Sequence, residues 1–254
     1  MMKINLTFLL FFFLTVTAHA DIVSNLVGWW KFDEGSGTTA IDSSVNGFNL
    51  TEHNATYTSG SNSKVGPYAL SFTGASTSYA EYPSNNATLA TTSGTVACWF
   101  KTSSSGADSG AYIGLISQQN DYSVFMFSGK VGYYDWNGTG ANYYNTTVND
   151  GTWHHVAITF QSGVTNGTII YVDGVSRVSN IMMTSATNDC PFEVAIGSQQ
   201  VNNNGLNCGG GQAQVFHGYI DDIRVYSRVL SANDIKQLYQ YSGSTLGFFR
   251  MINK

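Results

Sequence analysis

The stretch that decides the fold lies at 218–231 and reads GYIDDIRVYSRVLS. It opens as a strand, because β-branched and aromatic residues recur from Ile220 to Tyr226 without an interrupting Gly or Pro. Ser231 and Asp234 then form a capping box, and apolar residues follow them at helical spacing. The stretch therefore predicts a strand that leads directly into a short helix.

Two adjacent carboxylates, Asp221 and Asp222, lie inside this predicted strand, where Asp is uncommon. Neighbouring residues of a regular strand point to opposite faces of the sheet. We therefore expect Asp221 to share the apolar face of Ile223 and Val225. A carboxylate on such a face must be paired, hydrogen-bonded or bound to a metal ion.

The rest of the chain reads as short strands separated by turns rich in Gly, Ser, Asn and Asp. Asp173 and Gly174 are typical of the turn of a β-hairpin. The pattern predicts an all-β fold, a two-sheet antiparallel β-sandwich or jelly roll with one short C-terminal helix. The predicted strands are Leu26–Phe32, Ala69–Phe72, Tyr79–Tyr82, Gly94–Lys101, Tyr112–Ser117, Tyr122–Phe127, Lys130–Asp135, His154–Phe160, Thr168–Val172, Phe192–Ile196 and Gly218–Tyr226.

Composition narrows the class of protein. The chain has 254 residues, a formal net charge of −5 and only 11% charged residues, so it lacks the basic patch of a nucleic-acid-binding protein. Aromatic residues make up 14% of the chain and hydrophobic residues 43%, which argues against disorder. We expect one domain at 21–242 and a tail at 243–254, since single β-sandwiches often have this length.

Residues 1–20 have the pattern of a signal peptide, with Lys3, an apolar run from Phe8 to Val16 and an Ala18-His19-Ala20 cleavage site. The alternative is an anchor that is retained, but the run is short for a membrane span. We expect a secreted protein with no membrane span after cleavage, located outside the cell, on its surface or in a periplasm.

The three cysteines are compatible with an exported protein. Cys98 lies in an apolar strand and is expected to be a buried free thiol. Cys190 and Cys208 flank a polar loop that a disulfide would close, and two free thiols are the alternative.

Several further stretches keep a characteristic order along the chain. They are LVGWWKFDEGSG at 26–37, DSSVNG at 42–47, ALSFTG at 69–74, YAEYP at 79–83, the Trp-bearing strand at 94–101, WHHVAITF at 153–160 and IYVDG at 170–174. Together with 218–231, this ordered set resembles a laminin-G-like (concanavalin A-like) jelly-roll domain over nearly the whole mature chain. The set departs from the family at Val45, where a Gly is usual.

The resemblance implies a structural Ca²⁺ site that joins the first strand to the last. Asp221 is the expected main side-chain ligand, because it is expected to share the face of Ile223 and Val225. Ca²⁺ binds six to eight oxygens from carboxylates and backbone carbonyls. The alternative is that Asp222 pairs with Arg224 or Arg228 and that no metal binds. The candidate metal ligands are Asp33, Glu34, Asp42, Asn46, Gly47, Asp221 and Asp222.

Catalysis is not indicated, and no catalytic residue is assigned. Glucanases share the jelly-roll architecture, but glycoside hydrolysis needs two suitably spaced carboxyl groups. The mature chain has only Glu34, Glu52, Glu81 and Glu193, none of them in a Glu-x-Asp-x-x-Glu arrangement. His154 and His155 face opposite ways in a strand and cannot chelate one metal ion together.

Aromatic residues are concentrated between 118 and 145, with amide side chains among them. Aromatic faces, planar amides and carboxylates are the groups that hold sugars, although some of these rings must fill the core. Alternation along the strand places Tyr134 and Trp136 on one face. The pattern predicts glycan binding; an adhesion or assembly surface for an extracellular protein is the alternative, and a polysaccharide-cleaving jelly-roll enzyme is the second alternative. The candidate ligand-binding residues are Gln118, Asn120, Tyr134, Asp135, Trp136, Tyr143 and Tyr144.

Overall fold

The computed structural model describes residues 22–82, 89, 91–104, 112–118, 122–135, 140–181, 194–200, 212–213, 215–241 and 243. Their strands are β1 Leu26–Trp30, β2 Thr39–Ala40, β3 Leu50–His53, β4 Thr56–Ser59, β5 Tyr68–Thr73, β6 Tyr79–Tyr82, β7 Ser93–Lys101, β8 Ile113–Gln118, β9 Tyr122–Phe127, β10 Lys130–Asp135, β11 Gly140–Tyr143, β12 Trp153–Gln161, β13 Thr168–Val172, β14 Val175–Ile181, β15 Val194–Ile196, β16 Gln199–Gln200, β17 Gln212–Ala213 and β18 His217–Tyr226. A 3₁₀ turn spans Gly60–Asn62, and the helix α1 spans Ala232–Gln240.

The strands form two antiparallel sheets, which confirms the predicted sandwich. The first sheet has the order β14-β13-β12-β7-β18-β5-β4, with β1 also paired to β18. The second sheet has the order β11-β10-β9-β8-β15-β6-β3-β2, and β16 and β17 form a separate two-stranded ribbon. The closing strand β18 therefore lies inside the first sheet, with β7 on one side and β5 and β1 on the other.

The main core lies between the two sheets. Large apolar side chains alternate along the central strands, and each fully buried one contributes roughly 1.5–3 kcal/mol by leaving water. Cys98 lies in this core as a free thiol, as predicted. The large side chains of this core include Trp30, Phe72, Phe100, Tyr122, Tyr133 and Phe160.

A smaller cluster on the outer face of the first sheet holds α1. Ile235 and Leu238 of the helix pack against Ala97 and Ala157 of the sheet. The Ser231 hydroxyl accepts a hydrogen bond from the Asp234 amide, so the predicted capping box is present. In the described part of the chain, no helix is long and apolar enough to cross a membrane.

Strand β18 departs from the predicted alternation at Asp222. This residue has a φ of 46°, and the register against β7 shifts between Asp221 and Arg224. Because of this β-bulge, Ile220 and Ile223 both point into the core, and Asp221 pairs with Trp99 on the outer face. The expectation that Asp221 shares the face of Ile223 is therefore wrong.

The Asp173-Gly174 turn is confirmed, with φ values of 54° and 73° between β13 and β14. Strand β1 ends at Trp30, before Phe32 adopts a φ of 56°. The predicted signal peptide, Cys190 and Cys208, and the tail other than Gly243 lie outside the described residues.

Candidate ligand-binding and metal-binding sites

An aromatic surface lies on the outer face of the second sheet, as the strand register requires. Val131 and Tyr133 point into the core, so the alternate residues of β10 point outward. Tyr134 is one of these outward residues. Gly132 is another, and it pairs with Tyr143 of β11. Tyr134 and Tyr143 therefore share the outer face.

Tyr112, which precedes β8, connects the rings of this surface. Its ring centroid lies 4.8 Å from Phe125 and 5.1 Å from Phe127. The Tyr134 ring lies 5.5 Å from Tyr112, and the Tyr143 ring lies 6.2 Å from Phe127. Tyr143 is 39% exposed, whereas Phe125 is fully buried beneath the group. We call these five residues the aromatic patch.

Gly132 allows the patch to form. A Cβ at this position would lie 2.7 Å from the ring of Phe125 and 2.7 Å from the Cβ of Tyr143, closer than such atoms can approach. Any side chain at Gly132 would displace one of these two residues.

Polar groups border the patch at Lys130. The Lys130 ammonium donates a hydrogen bond to Asn145 Oδ1 at 2.6 Å and lies 5.2 Å from the centre of the Tyr143 ring. This rim offers a positive charge and an amide beside ring surfaces, a combination that can bind both the apolar and the polar groups of a ligand.

The other predicted ligand residues are dispersed. Gln118 is fully buried and pairs with Tyr122 in the core-facing row, so it does not share the surface of Tyr134. Tyr144 packs partly against the core, with the Arg177 guanidinium 5.3 Å from its ring centre. Asn120, Trp136 and the side chain of Asp135 lie outside the described residues.

Asp221 is the most deeply buried of the predicted metal ligands. Its Oδ2 accepts hydrogen bonds from the amides of Lys64 and Val65, both at 2.8 Å. Its Oδ1 is buried and has no hydrogen-bond partner among the described residues. Burial raises the pKa of this carboxyl to about 8, although the two amides oppose the shift.

Asp222 lies beside Asp221, but its negative charge is compensated by side chains of the protein. Its Oδ1 accepts from Trp29 Nε1 at 2.7 Å and from Arg224 Nε at 3.1 Å. The Arg224 guanidinium lies 4.4 Å from the ring centres of both Trp29 and Tyr241. Asp222 and Arg224 therefore form a buried ion pair, one of the two pairings that the sequence offered as an alternative to metal binding.

Asp33 approaches the same segment of chain that binds Asp221. Gly66 follows the two amides, and a Cβ there would lie 2.3 Å from Asp33 Oδ1. This oxygen is also buried without a hydrogen-bond partner in the described part of the chain. Burial raises the pKa of Asp33 as well. Both carboxylates thus present one unpaired oxygen near residues 64–66.

The remaining predicted metal ligands lie in a separate turn. The Asp42 carboxylate accepts hydrogen bonds from the backbone of Trp29, Ser44 and Phe48 and from the Ser44 hydroxyl. Asn46 donates its side-chain amide to the Val27 carbonyl, and Gly47 supplies a φ of 71°. These contacts hold the turn against β1.

The Tyr57 hydroxyl contacts the carboxylates of both Glu34 and Glu52. The Tyr57 hydroxyl contacts Glu52 and lies 3.0 Å from Glu34 Oε2, while Glu34 Oε1 accepts from the Ile41 amide. Burial raises the pKa of Glu52 to about 7 despite the opposing Tyr57 hydrogen bond. Glu52 is 5% exposed and lies in the core-facing row, whereas Glu34 is partly exposed.

The two adjacent histidines have different environments. His155 packs between Trp99 and Tyr239, and burial lowers its pKa to about 4. His154 Nδ1 lies 2.9 Å from Asp173, and this hydrogen bond raises the pKa of His154. Among the described residues, no group of three or more His, Cys, Asp or Glu side chains is placed to hold a metal ion.

Solved structures with similar folds include two toxin binding domains and one domain of an arabinanase. The binding domain of Paraclostridial Mosquitocidal Protein 1 has a TM-score of 0.64 and 14% sequence identity. The alignment covers 87% of the present chain and 53% of the toxin chain. Domain 4 of AbnA, a GH43 extracellular arabinanase from Geobacillus stearothermophilus solved with arabinotriose, has a TM-score of 0.61, 17% identity and coverages of 85% and 98%. The binding domain of Botulinum neurotoxin DC, solved with rat synaptotagmin II, has a TM-score of 0.60, 13% identity and coverages of 86% and 52%.

The chain therefore spans about half the length of the two toxin binding domains and nearly all of the arabinanase domain. No curated protein matches it. A family model described as the concanavalin A-like lectin/glucanases superfamily matches residues 73–236, from β5 through the first half of α1. The chain belongs to this superfamily, as a laminin-G-like jelly-roll domain.

Proposed function

We propose that this protein is a secreted, non-catalytic module that binds glycans through the aromatic patch and carries a structural Ca²⁺ ion. The observation that carries the glycan proposal is the patch itself. Partly exposed tyrosine rings lie over a buried phenylalanine, and Lys130 and Asn145 border them. Sugar rings present C–H surfaces to aromatic faces and hydroxyl groups to such polar neighbours.

The related structures support a binding role without naming a ligand for this chain. One was solved with an arabinose trisaccharide and another with a protein. We favour a glycan because three of the four partly or fully exposed rings of the patch are tyrosines, whose hydroxyls can also hydrogen-bond to sugars. An extracellular protein remains the alternative partner.

Binding should be tested on residues 21–254 with an oligosaccharide array that includes arabinotriose, followed by titration calorimetry on the glycans that bind. Tyr134→Ala should weaken binding about ten-fold or more, equivalent to about 1.4 kcal/mol. Tyr79→Ala is the matched control, because Tyr79 stacks on His53 elsewhere in the same sheet.

Equal loss of affinity in both variants would contradict a site at the patch. A wild-type protein that binds no glycan would favour the protein-contact alternative.

The calcium proposal is supported by Asp33 and Asp221. Each presents a buried oxygen that lacks a hydrogen-bond partner among the described residues, and a cation would compensate for that loss. Ca²⁺ accepts backbone carbonyls as ligands, so two carboxylates can suffice as its charged ligands. Asp42 fits the ion less well, because four donors already occupy its oxygens. When bound, the ion would supply positive charge and no catalytic step.

A further inference from the structure

A second group of aromatic and polar side chains lies on the opposite side of the sandwich, on the outer face of the first sheet. The register pairs Lys101 of β7 with Trp153 of β12 and with Tyr219 of β18. The neighbouring row on this face contains Trp99, against which Tyr239 of α1 stacks at 5.4 Å. Lys101, Trp153 and Tyr219 form the next row on the same face, beside the row of Trp99. All three side chains are partly exposed.

The 3₁₀ turn Gly60–Asn62 holds this row in place. The Lys101 ammonium donates to Ser61 O at 3.2 Å and to Asn62 Oδ1 at 3.1 Å. Trp153 Nε1 donates to the same carbonyl at 3.4 Å, and the Asn62 amide donates to the Tyr219 hydroxyl at 3.3 Å. The rings of Trp153 and Tyr219 lie 6.5 Å apart. These contacts order the side chains before any ligand arrives, which lowers the entropy cost of binding.

Lys101 brings a positive charge that the described residues do not neutralise. Its two hydrogen-bond acceptors are a carbonyl and an amide oxygen, and it forms no ion pair within the described part of the chain. It also lies 5.7 Å from the centre of the Tyr219 ring. A partly exposed cation between two aromatic rings is complementary to a ligand with a flat apolar surface and a negative charge.

The same arrangement occurs at the rim of the aromatic patch. There Lys130 donates to Asn145 Oδ1 and lies near the Tyr143 ring, as Lys101 donates to Asn62 Oδ1 and lies near Tyr219. The two groups thus have a lysine, an asparagine and a tyrosine in common, on opposite faces of the sandwich.

We propose that Trp153, Lys101 and Tyr219, with Asn62, form a second glycan-binding site for a saccharide that carries an acidic group. The ring faces contact the sugar, and Lys101 pairs with its carboxylate or sulfate. The acidic group distinguishes this site from a platform for neutral sugars. With one site on each face, a single molecule can bridge two polysaccharide chains.

The test measures binding of residues 21–254 by titration calorimetry to three probes. These are an oligogalacturonate, which is carboxylated, a heparin hexasaccharide, which is sulfated, and cellohexaose, which is neutral. All titrations are made in the Tyr134→Ala background, so that the remaining binding reports the second site. Trp153→Ala and Lys101→Met are the test variants. Lys236→Met, which removes an exposed charge from α1, is the matched control.

We expect an acidic probe to bind the Tyr134→Ala protein, and its affinity to fall about five-fold or more with Lys101→Met and with Trp153→Ala but not with Lys236→Met. The affinity should also fall as salt increases. The probe that binds identifies the acidic group. Circular dichroism controls for folding, and Lys101→Met keeps the inference testable if Trp153→Ala unfolds.

Loss of all binding in the Tyr134→Ala background would overturn the second site and leave the proposed function intact. Absence of glycan binding by the wild type would overturn both. Unchanged affinity in Lys101→Met would also overturn the inference.

Discussion

Glu52 lies in the core-facing row of β3, with one oxygen against the Tyr57 hydroxyl. Its other oxygen is buried and has no hydrogen-bond partner among the described residues. Burial raises its pKa to about 7 in the folded protein, from 4.5 for an exposed Glu. The folded state therefore holds this proton more tightly than the unfolded state does. The contribution of Glu52 to stability should be greatest below about pH 4.5, fall as pH rises towards 7, and level off above that.

Replacing Glu52 with Gln removes this titration while keeping an acceptor for the Tyr57 hydroxyl. We expect Glu52→Gln to be more stable than the wild type at pH 8, by roughly 2–3 kcal/mol, and nearly equal to it at pH 4.5. Urea denaturation at the two pH values measures the difference. Glu81→Gln, which removes a carboxylate from the paired strand β6, should leave the pH dependence in place. An equal stability difference between Glu52→Gln and the wild type at both pH values would contradict the expectation.

At the scale of single residues, parts of the candidate site could not be predicted from the sequence. Hydrophobic alternation identified β18, but it could not reveal the bulge. The residue with the left-handed φ is Asp222, and an Asp does not signal this conformation as a glycine would. Gln118 and Tyr144 were grouped with Tyr134 by proximity in sequence, whereas strand register separates them. The sequence indicated that Asp221 needs a partner, because buried charge must be compensated, and its Oδ1 is buried without a hydrogen-bond partner among the described residues. Asp33 was a candidate ligand only through the family resemblance, so the burial of its Oδ1 was not predicted.

At the scale of elements, α1 shows what local sequence signals can predict. The capping box and the apolar spacing were sufficient to place the helix, and Ile235 and Leu238 bury its inner face. Strands β3 and β4 were not predicted, because their sequences LTEH and TYTS are mostly polar. These strands depend on pairing with β6 and β5, which is tertiary information. Strand β11, with the sequence GANY, depends on β10 in the same way.

Removing the cap should destabilise the whole domain, because α1 covers part of the first sheet. Ser231→Ala deletes the acceptor for the Asp234 amide and should cost about 1 kcal/mol of unfolding free energy. Urea denaturation at neutral pH measures this cost. Ser227→Ala is the control, since Ser227 is exposed and lies before the cap. An equal effect of both substitutions would assign the loss to something other than capping.

At the scale of the whole molecule, the two ends of the described chain meet beside β18. The Tyr226 hydroxyl donates a hydrogen bond to the Ile22 carbonyl, and Tyr241 packs against Trp29. Asp33 follows β1, Asp221 lies within β18, and both approach residues 64–66. A cation between these carboxylates would therefore join segments that are far apart in sequence, and its binding energy would add to the stability of the domain.

Calcium should accordingly raise the melting temperature of residues 21–254. At a free concentration about 100 times the dissociation constant, the ion adds about 2.7 kcal/mol, a shift of about 5–10 °C for a domain of this size. Asp221→Asn retains an acceptor for the Lys64 and Val65 amides but loses the charge, so it should abolish the shift. Asp33→Asn should reduce it. Asp150→Asn, at a carboxylate that is 59% exposed, should melt like the wild type in calcium and in chelator. Equal wild-type midpoints in calcium and in EDTA would rule out a stabilising ion, leaving the backbone amides as the means by which the protein tolerates Asp221.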